Sequence, residues 1–145
     1  MARVLYTAEA TVTGGRASGH GRTSDGALDV QLRSPKEMGG EGSGTNPEQL
    51  LAVGYAACFE SALGVVGRRE RVEVGDVSID SRVSLLTTEE RGFTLSVKLD
   101  VTLPQIQDAE QAVRVVAGAH QVCPYSNATR GNMDVTLTAN GHTVG

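Results

Sequence analysis

Period-two apolar runs joined by hairpin signals, one long apolar helical segment and a second, one-sided helical stripe together predict an α+β fold in the order βββ-α-ββ-α-β. The 145 residues are enough for one domain, 1–145, that buries roughly 70% of its unfolded surface. With 39% apolar and 21% charged residues the composition is that of a folded chain, not a disordered one. A net charge of -4 with no Lys/Arg cluster argues against a nucleic-acid partner, and with no Trp, three Tyr and two Phe there is little for bases to stack on. The start, MARVLYTAEATVT, lacks an apolar signal core, so a cytoplasmic, reducing setting is expected. In such a setting the Asn127-Ala128-Thr129 sequon carries no glycan.

In the first third, Val4, Tyr6, Ala8, Ala10 and Val12 alternate with mostly polar neighbours and predict a strand. Gly14-Gly15 turns the chain into a Gly-rich strand from Arg16 to about Ser24. Asp25-Gly26 is a hairpin signal, and Leu28, Val30 and Leu32 alternate after it. The loop from Ser34 to Gly44 is longer than a plain connection needs and is either a mobile surface loop or the frame of a site.

A helix is expected next. Asn46 suits the N-cap, Pro47 the first helical position, and Gln49 the third position of a capping box. Between Leu50 and Gly67 only Glu60 is charged, so this helix needs cover on nearly every side. A membrane span has the required length. The Gly and Ala content and the central Glu60 instead favour close packing against backbone or a second subunit, and no membrane association is expected. Arg68, Arg69 and Arg71 suit the helix C-terminus.

A second hairpin places Val77, Ile79, Val83 and Leu85 on one face, with Ser81 the exception. Phe93, Leu95, Val97, Leu99, Val101 and Leu103 alternate after a Glu89–Gly92 turn, and Pro104 stops the strand. Asp108 caps a helix with Gln111 in capping-box position, and its stripe is Ala109, Val113, Val116, Ala117 and His120. Pro124 ends that helix. Met133, Val135, Leu137 and Ala139 form a closing strand.

Cys58 falls in the middle of the enclosed helix and Cys123 just past the end of the other. Either alone reads as a small buried hydrophobe. As a pair they fit a reversible disulfide, if their Cα atoms come within about 5.5 Å. His120 with both cysteines offers three metal ligands without paired-ligand spacing, and Cys58 with His120 offers a nucleophile and base without a local signature. The residues by themselves leave these readings open. His20 and His142 read as exposed strand or tail positions.

Two segments narrow the choice. TNPEQLLAVGYAACFESAL and AHQVCPYSNATRGNMDV, together with the N-terminal TGGRASG and TSDGALDVQL, resemble the signature blocks of the organic hydroperoxide resistance (Ohr) branch of the OsmC/Ohr superfamily. The CPYSNATRGN run favours that branch over its sisters. The resemblance implies antiparallel sheets around a buried central helix in an intertwined homodimer. It also implies a thiol peroxidase that reduces organic hydroperoxides to alcohols. Cys58 matches the peroxidatic cysteine, Cys123 the resolving one, Arg16 the active-site arginine and Glu48 its carboxylate partner. No cofactor is implied; lipoylated proteins carrying dihydrolipoyl groups act as the external reductant. The same-fold alternative is an OsmC-branch peroxidase of different alkyl preference, and the other is a non-catalytic thiol sensor.

Elementary chemistry says what those residues must supply. A thiol is largely protonated at neutral pH, and burial penalises its anion further. Arg16 favours the thiolate and the departing oxygen, and Glu48 is expected to hold the guanidinium in a bidentate pair. Cys123, at a helix C-terminus and before Pro124, sits where thiolate is disfavoured and the segment is freer to move. Ten helical residues between Glu48 and Cys58 span about 15 Å, with directions differing by roughly 80°. Arg16 and Glu48 are therefore expected to serve Cys58 from the partner subunit. An apolar pocket is expected from Met38, Leu51, Phe59 and Tyr125.

Overall fold

The computed structural model describes residues 2–145 and divides into two compact units, Met1–Leu50 and Leu51–Gly145. The first holds a three-stranded antiparallel sheet of β1 (Ala10–Thr13), β2 (Gly19–Thr23) and β3 (Asp29–Arg33). Its register sets Val12 opposite Gly21 and Gly21 opposite Val30. The strand expected from Val4 begins only at Ala10. Alternation supplies an apolar face, but a strand also needs a ladder partner. Ala10 pairs with Thr23, where β2 ends, so among the described residues no strand lies opposite those ahead of it, and Val4, Leu5 and Tyr6 are exposed.

Gly14 and Gly15 both adopt positive φ (77° and 67°), as expected of the turn, but they lead into a single helical turn, α1 (Gly15–Ser18), not directly into a strand. Arg16 is thus on a turn between β1 and β2. The Asp25-Gly26 hairpin forms. Gly26 takes φ 74°, and the Asp25 carboxylate accepts from Ala27 N–H (2.9 Å) and the Thr23 hydroxyl (2.8 Å). Leu28 belongs to this loop and is exposed. The Ser34–Gly44 segment contains a 3-10 turn at Lys36–Met38 and returns so that Thr45 bonds along β3, donating to Gln31 O and accepting from Arg33 N–H.

The helix α2 (Pro47–Glu70) starts as expected: Asn46 Oδ1 accepts from Gln49 N–H at 2.9 Å. The reciprocal arm of the capping box is replaced by a bond from the Thr45 hydroxyl to Gln49 Oε1 (2.8 Å).

In the second unit α2 lines one core with β4 (Ser78–Thr88), β5 (Gly92–Thr102), α3 (Ala109–Val122) and β6 (Asp134–Ala139). Tyr55, Phe59, Leu63 and Val66 of α2 are buried there with Val97, Leu99 and Val101 of β5, Val115 and Val116 of α3, and Leu137 of β6. Burial of each large side chain contributes about 2 kcal/mol. Cover on nearly every side is expected of α2, from its own chain or a second subunit; among the described residues Val53, Ala57 and Ser61 are exposed on its other faces.

The β4–β5 hairpin and its alternating face are as expected, although Phe93 at its start is exposed. The sheet, in order β4-β5-β6-β7, is mixed. β6 runs parallel to β5, so the helical segment between them is a β-α-β crossover and not the hairpin connection expected. A further strand, β7 (His142–Val144), completes the sheet through an Asn140-Gly141 turn with φ 49° and 85°. That dipeptide is the two-residue hairpin signal, and it was open to reading in the sequence. The Asn140 side chain also ties down the end of β5: Oδ1 accepts from Leu103 N–H, and Nδ2 donates to Leu103 O and Ile106 O.

Asp108 caps α3 by accepting from Glu110 N–H. The buried stripe of α3 is Ala112, Val115, Val116 and Ala119, rotated from the one expected, and Ala117 is exposed. Small apolar residues occur around much of α3 and leave its rotation undetermined by pattern. Gly118 fixes it by close approach: a Cβ there would lie 3.1 Å from Val66 Cγ1 on α2. Gly118→Leu should overpack this crossing and cost about 2 kcal/mol, read as a lower urea midpoint at unchanged m-value.

Candidate active site

The site is built around a proline. A residue before Pro is driven out of the helical region, and Cys123 has φ -62° and ψ 124°. So α3 stops at Cys123. Pro124 then occupies the first position of a short helix, α4 (Pro124–Thr129), which the sequence reading took only as a stop. Cys123 serves both helices, its N–H donating to Ala119 O and its carbonyl accepting from Asn127 N–H, each at 2.9 Å. Its side chain is fully buried.

Cys58 lies on α2, half-buried and packed against the core cluster that contains Cys123. Both cysteines are free thiols. Cys123 and the backbone N–H of Tyr125 are the neighbours that act on Cys58 ionisation. Burial pushes the Cys58 thiol up from its ordinary value; the Tyr125 N–H opposes this, and the neighbouring Cys123 reinforces it. The segment after Cys123 is tethered to α2. The buried Tyr55 hydroxyl hydrogen-bonds Ser126 Oγ (2.8 Å) and Thr129 Oγ1 (3.2 Å), and the Tyr55 and Tyr125 rings sit 5.4 Å apart at 43°. Gly54, one turn before Cys58, leaves the space this requires: a Cβ there would lie 3.0 Å from the Tyr125 hydroxyl oxygen. Tyr55 and Ser126 escaped the sequence reading. Pro124 at a helix start signals α4, but nothing in either segment signals the bond between them.

In the first unit Arg16 and Glu48 pair as expected, but not as a fork. A single guanidinium nitrogen, Nη1, reaches both carboxylate oxygens, at 2.9 and 3.3 Å. Glu48 is mostly covered (15% exposed) and sits in the first turn of α2, where the helix dipole also favours an acid. Arg16 keeps 39% of its side chain exposed.

Of the residues expected to line an apolar pocket, Phe59 is fully buried in the core, Leu51 is half-buried, and Tyr125 is 38% exposed beside Cys58. Met38, 49% exposed, borders a polar cleft of about 580 Å³ with Ser18, Arg33, Ser34 and Glu41. Among the described residues no three His, Cys, Asp or Glu side chains gather as a metal site. His120 has a buried Nδ1 with no partner among the described residues, while Arg130 binds its carbonyl (2.5 Å) and Asn127 Oδ1 (3.0 Å).

The OsmC-like protein family model matches residues 40–138. The organic hydroperoxide resistance protein of Xanthomonas axonopodis pv. citri is 53% identical over 94% of this chain and 95% of its own length. The organic hydroperoxide resistance protein OhrB of Bacillus subtilis is 46% identical over 92% of this chain and 96% of its own. Its crystal structure superposes with a TM-score of 0.84, covering 93% of this chain and 98% of that one. The crystal structure of an organic hydroperoxide resistance protein from Legionella pneumophila gives 0.89 at 51% identity, covering 94% and 98%.

Burial, and then the Arg130 charge, hold the His120 imidazole below its ordinary value. The unfolded chain therefore binds this proton first as pH falls, so stability should drop from about pH 6.5 downward until the folded form also protonates. His120→Gln should flatten this limb of a urea-midpoint against pH curve.

Proposed function

This chain belongs to the OsmC/Ohr family, and from that footing we propose that it is a thiol peroxidase detoxifying organic hydroperoxides. The observation that carries the reading is that two free thiols, Cys58 and Cys123, share one core, with Cys123 close enough to act on the ionisation of Cys58. The Cys58 thiolate attacks the terminal peroxide oxygen. The O–O bond breaks, the sulfur keeps OH as a sulfenic acid, and the alkoxide takes a proton to leave as alcohol. The Cys123 thiol then attacks that sulfur. The S–O bond breaks, and hydroxide leaves with the Cys123 proton as water. A dihydrolipoyl group, carried on a lipoylated protein, returns two electrons by exchange and leaves as a cyclic disulfide. The reducing cytoplasm is the setting for this cycle.

Arg16 supplies the charge that this chemistry needs, favouring the thiolate and the departing alkoxide, and Glu48 holds it in place. The working unit is a homodimer in which the pair serves the partner's Cys58. Exposed Val4, Leu5, Tyr6 and Val12 in the first unit, and Val53 and Phe93 in the second, supply apolar surface for such an assembly. Tyr125 and Leu51 meet the alkyl group of the substrate.

Reduced protein mixed with one equivalent of tert-butyl hydroperoxide should lose both thiols rapidly, and turnover should follow addition of dihydrolipoamide but not of a thioredoxin system. Slow oxidation without recycling would make the chain a sensor instead. Cys58→Ser should abolish peroxide consumption. Arg16→Ala should lower its rate constant by about 10²–10³-fold, as for loss of one oxyanion donor.

The partner assignment has its own test. Differently tagged Cys58→Ser and Arg16→Ala chains, co-expressed, should recover about a quarter of wild-type activity through mixed dimers holding one intact site. An inactive mixture places Arg16 and Cys58 of one chain together.

A further inference from the structure

Resting on the peroxidase reading, we propose that Tyr55 is a positioning residue for the resolving thiol: through Ser126 and Thr129 it clamps α4, and with it Cys123, onto α2 beside Cys58. Three observations carry this. The Tyr55 hydroxyl is buried and bonds two residues of α4, Ser126 at 2.8 Å and Thr129 at 3.2 Å. Ser126 is itself fully buried, so its hydroxyl has no water to fall back on. α4 begins at the residue after Cys123, so any shift of α4 is passed to Cys123 through the rigid Cys123–Pro124 joint. Tyr55 lies three residues before Cys58 on the same helix. The clamp therefore spans the two elements that carry the sulfurs, and each anchor, Tyr55 and Ser126, lies three residues from its cysteine.

The chemical consequence concerns a branch point. The Cys58 sulfenic acid either meets the Cys123 thiol, giving disulfide and water, or meets a second hydroperoxide. In that case sulfur takes a second oxygen to become sulfinic acid, and another alcohol leaves. The first branch depends on where Cys123 sits; the second does not. A looser α4 lowers the first rate and leaves the second alone. The attack of Cys58 on the first hydroperoxide precedes the branch and does not involve Cys123.

The test is Tyr55→Phe, which keeps the ring against Tyr125 and removes only the hydroxyl. Reduced wild-type and variant proteins are mixed with rising tert-butyl hydroperoxide. The rate of Cys58 thiol loss is followed, and intact mass separates disulfide from sulfinic acid. The variant should lose thiol at the wild-type rate and form sulfinic acid at about fivefold lower peroxide, the factor expected for one lost buried hydrogen bond. Ser126→Ala should give a smaller shift in the same direction, because Thr129 remains. Adding it to Tyr55→Phe should change little, since both remove the same bond. An unchanged partition in both folded single variants overturns the clamp. So does an equal slowing of thiol loss and disulfide formation, which is what general loosening of the core would produce. Wild-type protein that forms neither disulfide nor sulfinic acid overturns the peroxidase reading, and this inference with it.

Discussion

A proline following Cys123 decides the geometry on which the site depends. Because the residue before proline cannot stay helical, α3 must end there, and because proline suits the first position of a helix, α4 must begin there. The chain turns at the cysteine itself. A fully buried thiol is thereby held at a joint between two helices, facing the thiol of a third. Had α3 run on, position 123 would have followed the helix surface, and Tyr125 N–H would have been committed to an intrahelical carbonyl. As one of the first donors of α4 it is free of such a carbonyl, and it favours the Cys58 thiolate.

That arrangement places two demands in opposition. Closing a disulfide needs the sulfurs adjacent and sheltered, and shelter raises the Cys58 thiol when attack on peroxide needs it ionised. A backbone N–H offsets part of this, while the neighbouring Cys123 adds to it. Juxtaposition alone thus favours a protonated, unreactive thiol, and the peroxidase reading requires a cation. Arginine suits that role better than lysine, since it does not give up its proton on burial. Glu48 restrains Arg16 through one nitrogen and leaves the rest of the guanidinium uncommitted to that carboxylate.

What the sequence made legible follows what local physics determines. The α2 cap at Asn46, the Asp25-Gly26 turn, the β5 alternation and the Asp108 cap depend on neighbours within a few residues, and all formed. The misreadings were of things set at a distance. The run from Val4 had the right alternation but, among the described residues, no strand opposite. The rotation of α3 was fixed by Gly118 against Val66, which no period can reveal when most positions are small and apolar. The direction of β6 depended on a crossover. In the site, Cys58, Cys123, Arg16 and Glu48 came from resemblance. The Tyr55–Ser126 bond joins residues 71 apart and left no trace in either segment.

The composition of α2 extends the same reasoning. It is long and apolar enough to cross a bilayer. One face is nevertheless fixed in a protein core beside a sheet, with a tyrosine hydroxyl bonded to a buried serine. That is the environment of a helix folded into a domain, not of a single span in hydrocarbon. Val53 and Ala57 on the other faces are exposed. Small side chains there cost little when exposed and allow close approach when covered, a combination suited to a second protein surface. Lipid would have favoured bulk and tolerated no Glu60 in mid-helix. The sequence pattern that imitates a membrane span is thus better explained by a helix packed into a protein core.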